Sequence, residues 1–248
     1  MGAKQPDQLT PKGRATRQRV LTVAAAQMFR NGVAGTTTDD LQRAGGISPS
    51  QIYHYFGDKK SLVKAVIAYQ TEAVLHTQGP LLSRLDSFEA LEAWRDAVIG
   101  LQLSRHCEGG CPLGSLASEL ADHDPDARAD LAAGFARWEA AIRDGLAAMR
   151  DRGELRADAD PDALALALLT AVQGGLLMTQ VRHDTAALRV VLDAVIDRIR
   201  RHIPDGPAAR GRGAIPSQAS GQARRQIHDQ ALDQARDKDW DKDWVANR

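Results

Sequence analysis

The sequence predicts an all-α protein in which an N-terminal three-helix unit precedes a larger helical body. Three observations lead there. Apolar residues make up 43% of the chain while aromatics make up only 4%, so Ala and Leu, both strong helix formers, carry most of the hydrophobic surface. Apolar positions recur at steps of three and four along most of the chain. Nearly every such run is closed by Gly, Pro or an Asn-Gly pair. With 248 residues, the chain is long enough to bury a core as one large or two small domains.

Taken in order, Val20, Val23, Ala24, Met28 and Phe29 mark a helix from Arg17 to Arg30 that stops at Asn31-Gly32. Thr36, Thr37 and Thr38 then offer a hydroxyl cap to a short helix whose first turn carries Asp39 and Asp40, where carboxylates favour the helix dipole. Gly45-Gly46 ends that helix, and Ser48 caps a third one through Gln51, Ile52, Tyr53 and His54. A longer helix is expected from Lys59 to about Gln78, closed by Gly79-Pro80. Ser87 to Leu103 follows, with Phe88, Leu91, Trp94, Val98 and Leu101 on one face. After the Cys107 to Pro112 punctuation comes a short helix to about Ala121, and Asp124-Pro125 opens another running to about Arg152.

Ala163 to Val181 is 19 residues without a formal charge, long enough to span a bilayer. Gln173 and Gly174-Gly175 at its centre, and the lack of flanking aromatics, argue instead for a helix packed on two sides in a soluble protein. Asp184 to His202 is strongly amphipathic, and the two helices together suit a dimer bundle. Its candidate interface residues are Leu168, Val172, Gly174, Gly175, Leu188, Val191, Leu192, Val195 and Ile199. The expected organisation is therefore a flexible arm (1–16), the three-helix unit (17–63), the helical body (64–203) and a polar tail (204–248). The tail repeats Asp-Lys-Asp-Trp at 237–240 and 241–244.

The zero net charge hides an uneven distribution. Residues 1–64 carry ten basic side chains against four acidic ones, and the rest of the chain reverses that balance. A basic end on an acidic body is what a protein needs when one end meets a polyanion. The order helix, capped short helix, glycine turn, short helix is that of a helix-turn-helix, whose second short helix enters the major groove. It would present Ser48, Pro49, Ser50 and Gln51 toward the bases. Gln51 could pair bidentately with adenine, while Tyr53, His54, Tyr55 and Lys59 suit phosphate or sugar.

These residues carry a resemblance to the TetR-type regulators. It rests on Phe29 to Val33 with Gly32 one place early, Thr37-Thr38, the Ala44 to Ser48 turn, the run Ile52-Tyr53-His54-Tyr55-Phe56, and Asp58-Lys59-Lys60-Ser61-Leu62. About 47 residues from Arg17 to Val63 are covered. The resemblance implies an all-helical homodimer whose two reading heads grip a palindromic operator in double-stranded DNA. It also implies an effector-binding and dimerisation domain over 64–203, and release of DNA by a small molecule, as in a repressor. Thr37, Ser48, Tyr53, His54, Tyr55 and Lys59 match positions that such proteins use on DNA. Thr38, Pro49, Ser50 and Gln51 complete the candidate set, with Pro49 departing from the commoner Lys or Arg.

For the effector, Trp94, Val98 and Leu101 facing Phe135, Trp138 and Ile142 suggest an apolar pocket for a hydrophobic or planar compound, with Gln173 as a polar anchor. Cys107 and Cys111 join that candidate set and admit three readings: structural burial, a redox or electrophile sensor, or a metal site with His106 and His123. The spacing fits no common zinc pattern, so no metal and no cofactor are expected. An enzyme is not expected either, because nucleophile-elbow, phosphate-loop and dinucleotide motifs are missing from the sequence. Glu119 and His123, one helical turn apart, read as a helix-surface pair. Two cysteines and an N-terminus without an apolar core point to a cytoplasmic protein with no membrane partner.

Overall fold

The computed structural model describes residues 9–204; the expectations for the tail from 205 onward and for residues 1–8 lie outside it. Among the described residues the chain forms α1 (Pro11–Gly35), α2 (Thr38–Gly45), α3 (Pro49–Phe56), α4 (Lys59–Leu82), α5 (Phe88–Ser104), α6 (Pro112–Leu120), α7 (Pro125–Asp151), α8 (Pro161–Arg182) and α9 (Ala186–Arg200). The all-α expectation holds, and most boundaries fall within a few residues of the sequence reading.

Three boundaries differ for identifiable reasons; one is the end of α1, which breaks at Gly32 as expected but resumes to Gly35. Helix α1 starts at Pro11, six residues before Arg17, because the Thr10 hydroxyl accepts the Gly13 N–H at 3.1 Å and Pro11 is pre-shaped for a first turn. Residues 11–16 of the expected arm are thus helical. Helix α4 continues through Pro80 to Leu82. A proline so near a helix end removes only its own donor, and the Ser83 N–H still reaches the Gly79 carbonyl at 2.9 Å.

The described chain divides into two compact units, with α4 and α7 contributing residues to both. The first holds residues up to Val74 together with Cys111–Phe135, so α6 and the start of α7 belong with the three-helix head rather than with the body. Helices α2, α3 and α6 all pack on α1, around Val20, Ala24, Leu41, Ile47, Ile52 and Phe56. Phe29, expected in this core, is only half-buried. Lys60 pairs with Asp126 at 2.7 Å and Lys64 with Asp130 at 3.6 Å, tying α4 to α7 within the unit.

The second unit holds Leu75–Gly110 and the described residues from Ala136 onward. Its α8 and α9 form an antiparallel pair so close that a Cβ on Gly175 would stand 2.9 Å from the Leu188 Cα. Arg95 on α5 reaches Asp193 at 2.6 Å and Arg200 reaches Glu92 at 2.7 Å, which runs α5 antiparallel to α9. By length and composition α8 could cross a membrane, yet half of its apolar window is buried in its own fold.

That burial bears on the interface candidates. Leu168, Val172, Gly175, Leu188, Leu192 and Ile199 lie inside their own chain, Val191 and Val195 are half-buried, and only Gly174 of the candidates is exposed. The open apolar face is formed by Leu166, Leu177, Met178 and Val181 of α8 and Val190 of α9. A helix apolar nearly all round has two apolar faces, and periodicity alone does not say which one the chain itself covers.

Candidate nucleic-acid interface

Helices α2 and α3 are each eight residues long and depend on their ends for stability. At α2, the Thr37 hydroxyl accepts the Asp40 N–H at 3.2 Å while the Asp40 carboxylate accepts the Thr37 N–H at 2.9 Å and its hydroxyl at 2.6 Å. These bonds from Thr37 hold the Asp40 carboxyl below the usual carboxylate range, with Arg43 adding to the effect. Gly46 closes α2 in the left-handed region (φ 60°), as the turn between the two helices requires. Just before it, a Cβ on Gly45 would stand 2.7 Å from Val23, so α2 and α1 approach too closely there for a side chain.

At α3, the Ser48 hydroxyl accepts the Gln51 N–H at 3.3 Å and the Gln51 side-chain oxygen accepts the Ser48 N–H at 2.9 Å. This reciprocal cap changes the reading of Gln51. Gln51 therefore helps to hold α3 itself, while its side-chain oxygen keeps a second lone pair and its NH2 group two donors for further hydrogen bonds. Pro49, Ser50, Tyr53 and His54 stand exposed on the outer side of α3, Tyr53 at 62% of its surface. Tyr55 is half-buried and packs edge-on against His54 with ring centres 4.8 Å apart. Thr37 and Thr38 are exposed at the start of α2. Lys59 donates to the Thr36 carbonyl at 3.0 Å, which directs one of its three N–H groups back into the head.

The sequence reading missed the role of Glu119. Its two carboxylate oxygens accept the backbone N–H groups of Val33 and Ala34 at 2.7 and 2.6 Å. It is therefore no mere surface partner of His123. The signal was present in Asn31-Gly32, since a broken turn leaves the next amides without helical acceptors.

Of the nine effector candidates, Cys111 and Phe135 fall in the first unit and the other seven in the second. Trp94, Val98, Trp138 and Ile142 are buried, whereas Leu101, Phe135 and Gln173 are half-buried. The Trp94 indole donates to Gln78 at 2.9 Å. Among the described residues, the Trp138 Nε1, Gln102 Oε1, Gln173 Nε2 and Thr179 Oγ1 atoms are buried without a hydrogen-bond partner. Both cysteines are buried: the Cys107 N–H donates to the Gln102 carbonyl at 2.8 Å, and Cys111 caps α6 with its sulfur 3.4 Å from the Gly114 nitrogen. A cavity of about 530 Å³ lies elsewhere in the second unit, lined by Arg150, Asp151, Gly153, Leu155, Arg156, Ala157 and Pro204.

Residues 20–66, which contain this capped pair, match the family model for bacterial regulatory proteins of the tetR family. Residues 87–195 match that for the tetracyclin repressor-like C-terminal domain. The chain belongs to the TetR family. A TetR-family transcriptional regulator from Chloroflexus aurantiacus J-10-FL has a solved structure that superposes with a TM-score of 0.68 at 28% identity, covering 78% of this chain and 98% of that one. A transcriptional regulator encoded in the lacX 3' region of Lactococcus lactis subsp. lactis is 29% identical over 182 residues, 73% of this chain and 91% of its own. The repressor AcnR of Corynebacterium efficiens is 27% identical over 189 residues, 75% of this chain and 93% of its own. As a TetR-family member this chain is a transcriptional regulator.

Proposed function

We propose that this regulator is a repressor that binds a palindromic DNA operator as a homodimer and is released by a small, largely apolar effector. The observation that carries the reading is the pair of reciprocally capped helices α2 and α3, which leaves Pro49, Ser50, Tyr53 and His54 turned outward on the second of them. That is the arrangement in which a short helix enters the major groove while its predecessor meets the phosphates. The exposed Leu166, Leu177, Val181 and Val190 favour a second copy as the partner that covers α8 and α9. For the effector, the unpartnered buried Gln102 Oε1, Trp138 Nε1, Gln173 Nε2 and Thr179 Oγ1 atoms favour a neutral molecule with one or two hydrogen-bonding groups. An effector acts only by favouring the conformation that does not bind DNA. Such a regulator works beside DNA, in the cytoplasm.

The test is selection of duplexes from a random pool by the full-length chain, followed by salt titration on the winner and sizing of the free protein. The expected outcome is an inverted repeat with half-sites about 10 base pairs apart, an affinity that falls steeply and linearly on a log–log plot against salt, and a dimer in solution. No enrichment, or enrichment without symmetry, would overturn it.

A further inference from the structure

We propose that Glu119 is the positioning residue of the reading head: from α6 it holds the corner between α1 and α2, and so sets where α3 stands. This rests on the regulatory reading above and adds to it a route by which a residue outside the DNA-reading helices governs DNA affinity.

The argument starts at Gly32. Its backbone leaves the helical region (φ 75°, ψ 165°), so α1 is interrupted before its last turn and the amides of Val33 and Ala34 have no helical carbonyl to meet. The Glu119 carboxylate supplies both acceptors, at 2.7 and 2.6 Å. Gly32 is needed twice over, for its positive φ and because a Cβ there would stand 3.0 Å from the Glu119 Oε2 atom. The next residues are fastened in series. The Thr36 hydroxyl donates to the Gly32 carbonyl at 2.7 Å, Lys59 on α4 donates to the Thr36 carbonyl at 3.0 Å, and Thr37 then caps α2. The corner is held from one side by a carboxylate on α6 and from the other by an ammonium on α4. Hydrogen bonds to an ionised acceptor are the stronger kind, and two successive N–H groups on one carboxylate fix direction as well as distance. Glu119 lies in the residues matched by the C-terminal family model, and Val33 and Ala34 in those matched by the N-terminal one. Loosening this one side chain therefore lets the C-terminal part alter the head without touching DNA.

Glu119→Gln tests the idea with nearly unchanged shape. A glutamine offers one acceptor and turns an NH2 group toward the other N–H, so one bond is lost and two donors face each other. In the full-length variant, amide exchange at Val33 and Ala34 should quicken by about tenfold or more. Affinity for the duplex selected by the wild type should weaken by about tenfold, with the salt slope unchanged because no phosphate contact is removed. Glu119→Asp keeps both oxygens on a shorter stem and should recover part of each effect; it also replaces the glutamine variant if that one fails to fold. Exchange and affinity within about twofold of wild type would overturn the proposal, and so would weaker binding with a shallower salt slope, which marks a lost DNA contact. If the wild type selects no duplex, the regulatory reading fails by itself, while exchange at the two amides still decides whether Glu119 holds the corner.

Discussion

In the first unit, α2 and α3 are eight residues each and are held at their ends, by Thr37 with Asp40 and by Ser48 with Gln51. In the second, α8 and α9 are 22 and 15 residues and are held along their sides, by Leu168, Val172, Leu188, Leu192 and the contact at Gly175. A two-turn helix cannot bury enough surface to hold itself, so its orphan amides decide whether it forms. A long helix depends mostly on what lies beside it, even where, as at α8, Asp160 caps its first turn through the Asp162 and Ala163 N–H groups. The reading head is thus built from local hydrogen-bond chemistry and the body from side-on packing, and the two regions should fail differently.

The largest effect is expected in the body. Gly145 sits where a Cβ would lie 2.1 Å from the Leu85 carbonyl oxygen, a backbone atom that cannot swing away. Gly145→Ala should destabilise the second unit by about 3 kcal/mol despite the better helix propensity of alanine. Denaturant unfolding followed by circular dichroism reads this out, and a variant as stable as wild type would show that α7 tolerates displacement there. A smaller loss belongs to the head. Thr37→Ala removes the α2 cap and should cost about 1 kcal/mol, with faster amide exchange confined to α2; exchange spread into α8 and α9 would contradict end-held helices as the distinguishing feature.

The smallest effect is a dependence on acid. Asp40, bonded by Thr37, and Asp58, bonded by the Ser61 backbone N–H, both have carboxyl pKa values below the unperturbed 3.8. Because the folded values are depressed, their contribution to stability is complete above that unfolded value and fades as pH falls through the folded ones. The head should therefore be unchanged between pH 7 and about 5, and lose melting temperature below about pH 4. Thr37→Ala should blunt this acid loss. A head that weakens already near pH 6 would contradict this assignment to Asp40 and Asp58.

The same contrast explains what the sequence made legible. Thr37, Asp40, Ser48 and Gly46 act within a few residues of themselves, so the ends of α2 and α3 could be placed from the order of residue types. Leu41, Ile52 and Phe56 are buried in the core of the first unit. The roles of Glu119 and of Gln51 as a cap were missed for opposite reasons. Glu119 acts across 85 and 86 residues of chain, a distance over which no local pattern speaks. Gln51 acts at three residues' range, yet a helix-turn-helix reading favours the bases over the cap. In the body, α8 and α9 were placed as helices, but six of the nine residues assigned to a partner are ones the chain itself buries.

The engagement of Gln51 with Ser48 has a consequence for information rather than for stability. Beside Gln51, whose oxygen caps α3, the exposed polar groups of α3 are the Ser50 hydroxyl, 2.8 Å from that of Ser48, the Tyr53 phenol and the His54 ring, none of which makes the two-point match to a base pair that glutamine or arginine can. In the proposed DNA complex, a helix so equipped would specify few bases by direct contact. Under that proposal discrimination would shift to how readily a site bends and how wide its grooves are, and base steps the protein never touches should carry a measurable share of the preference.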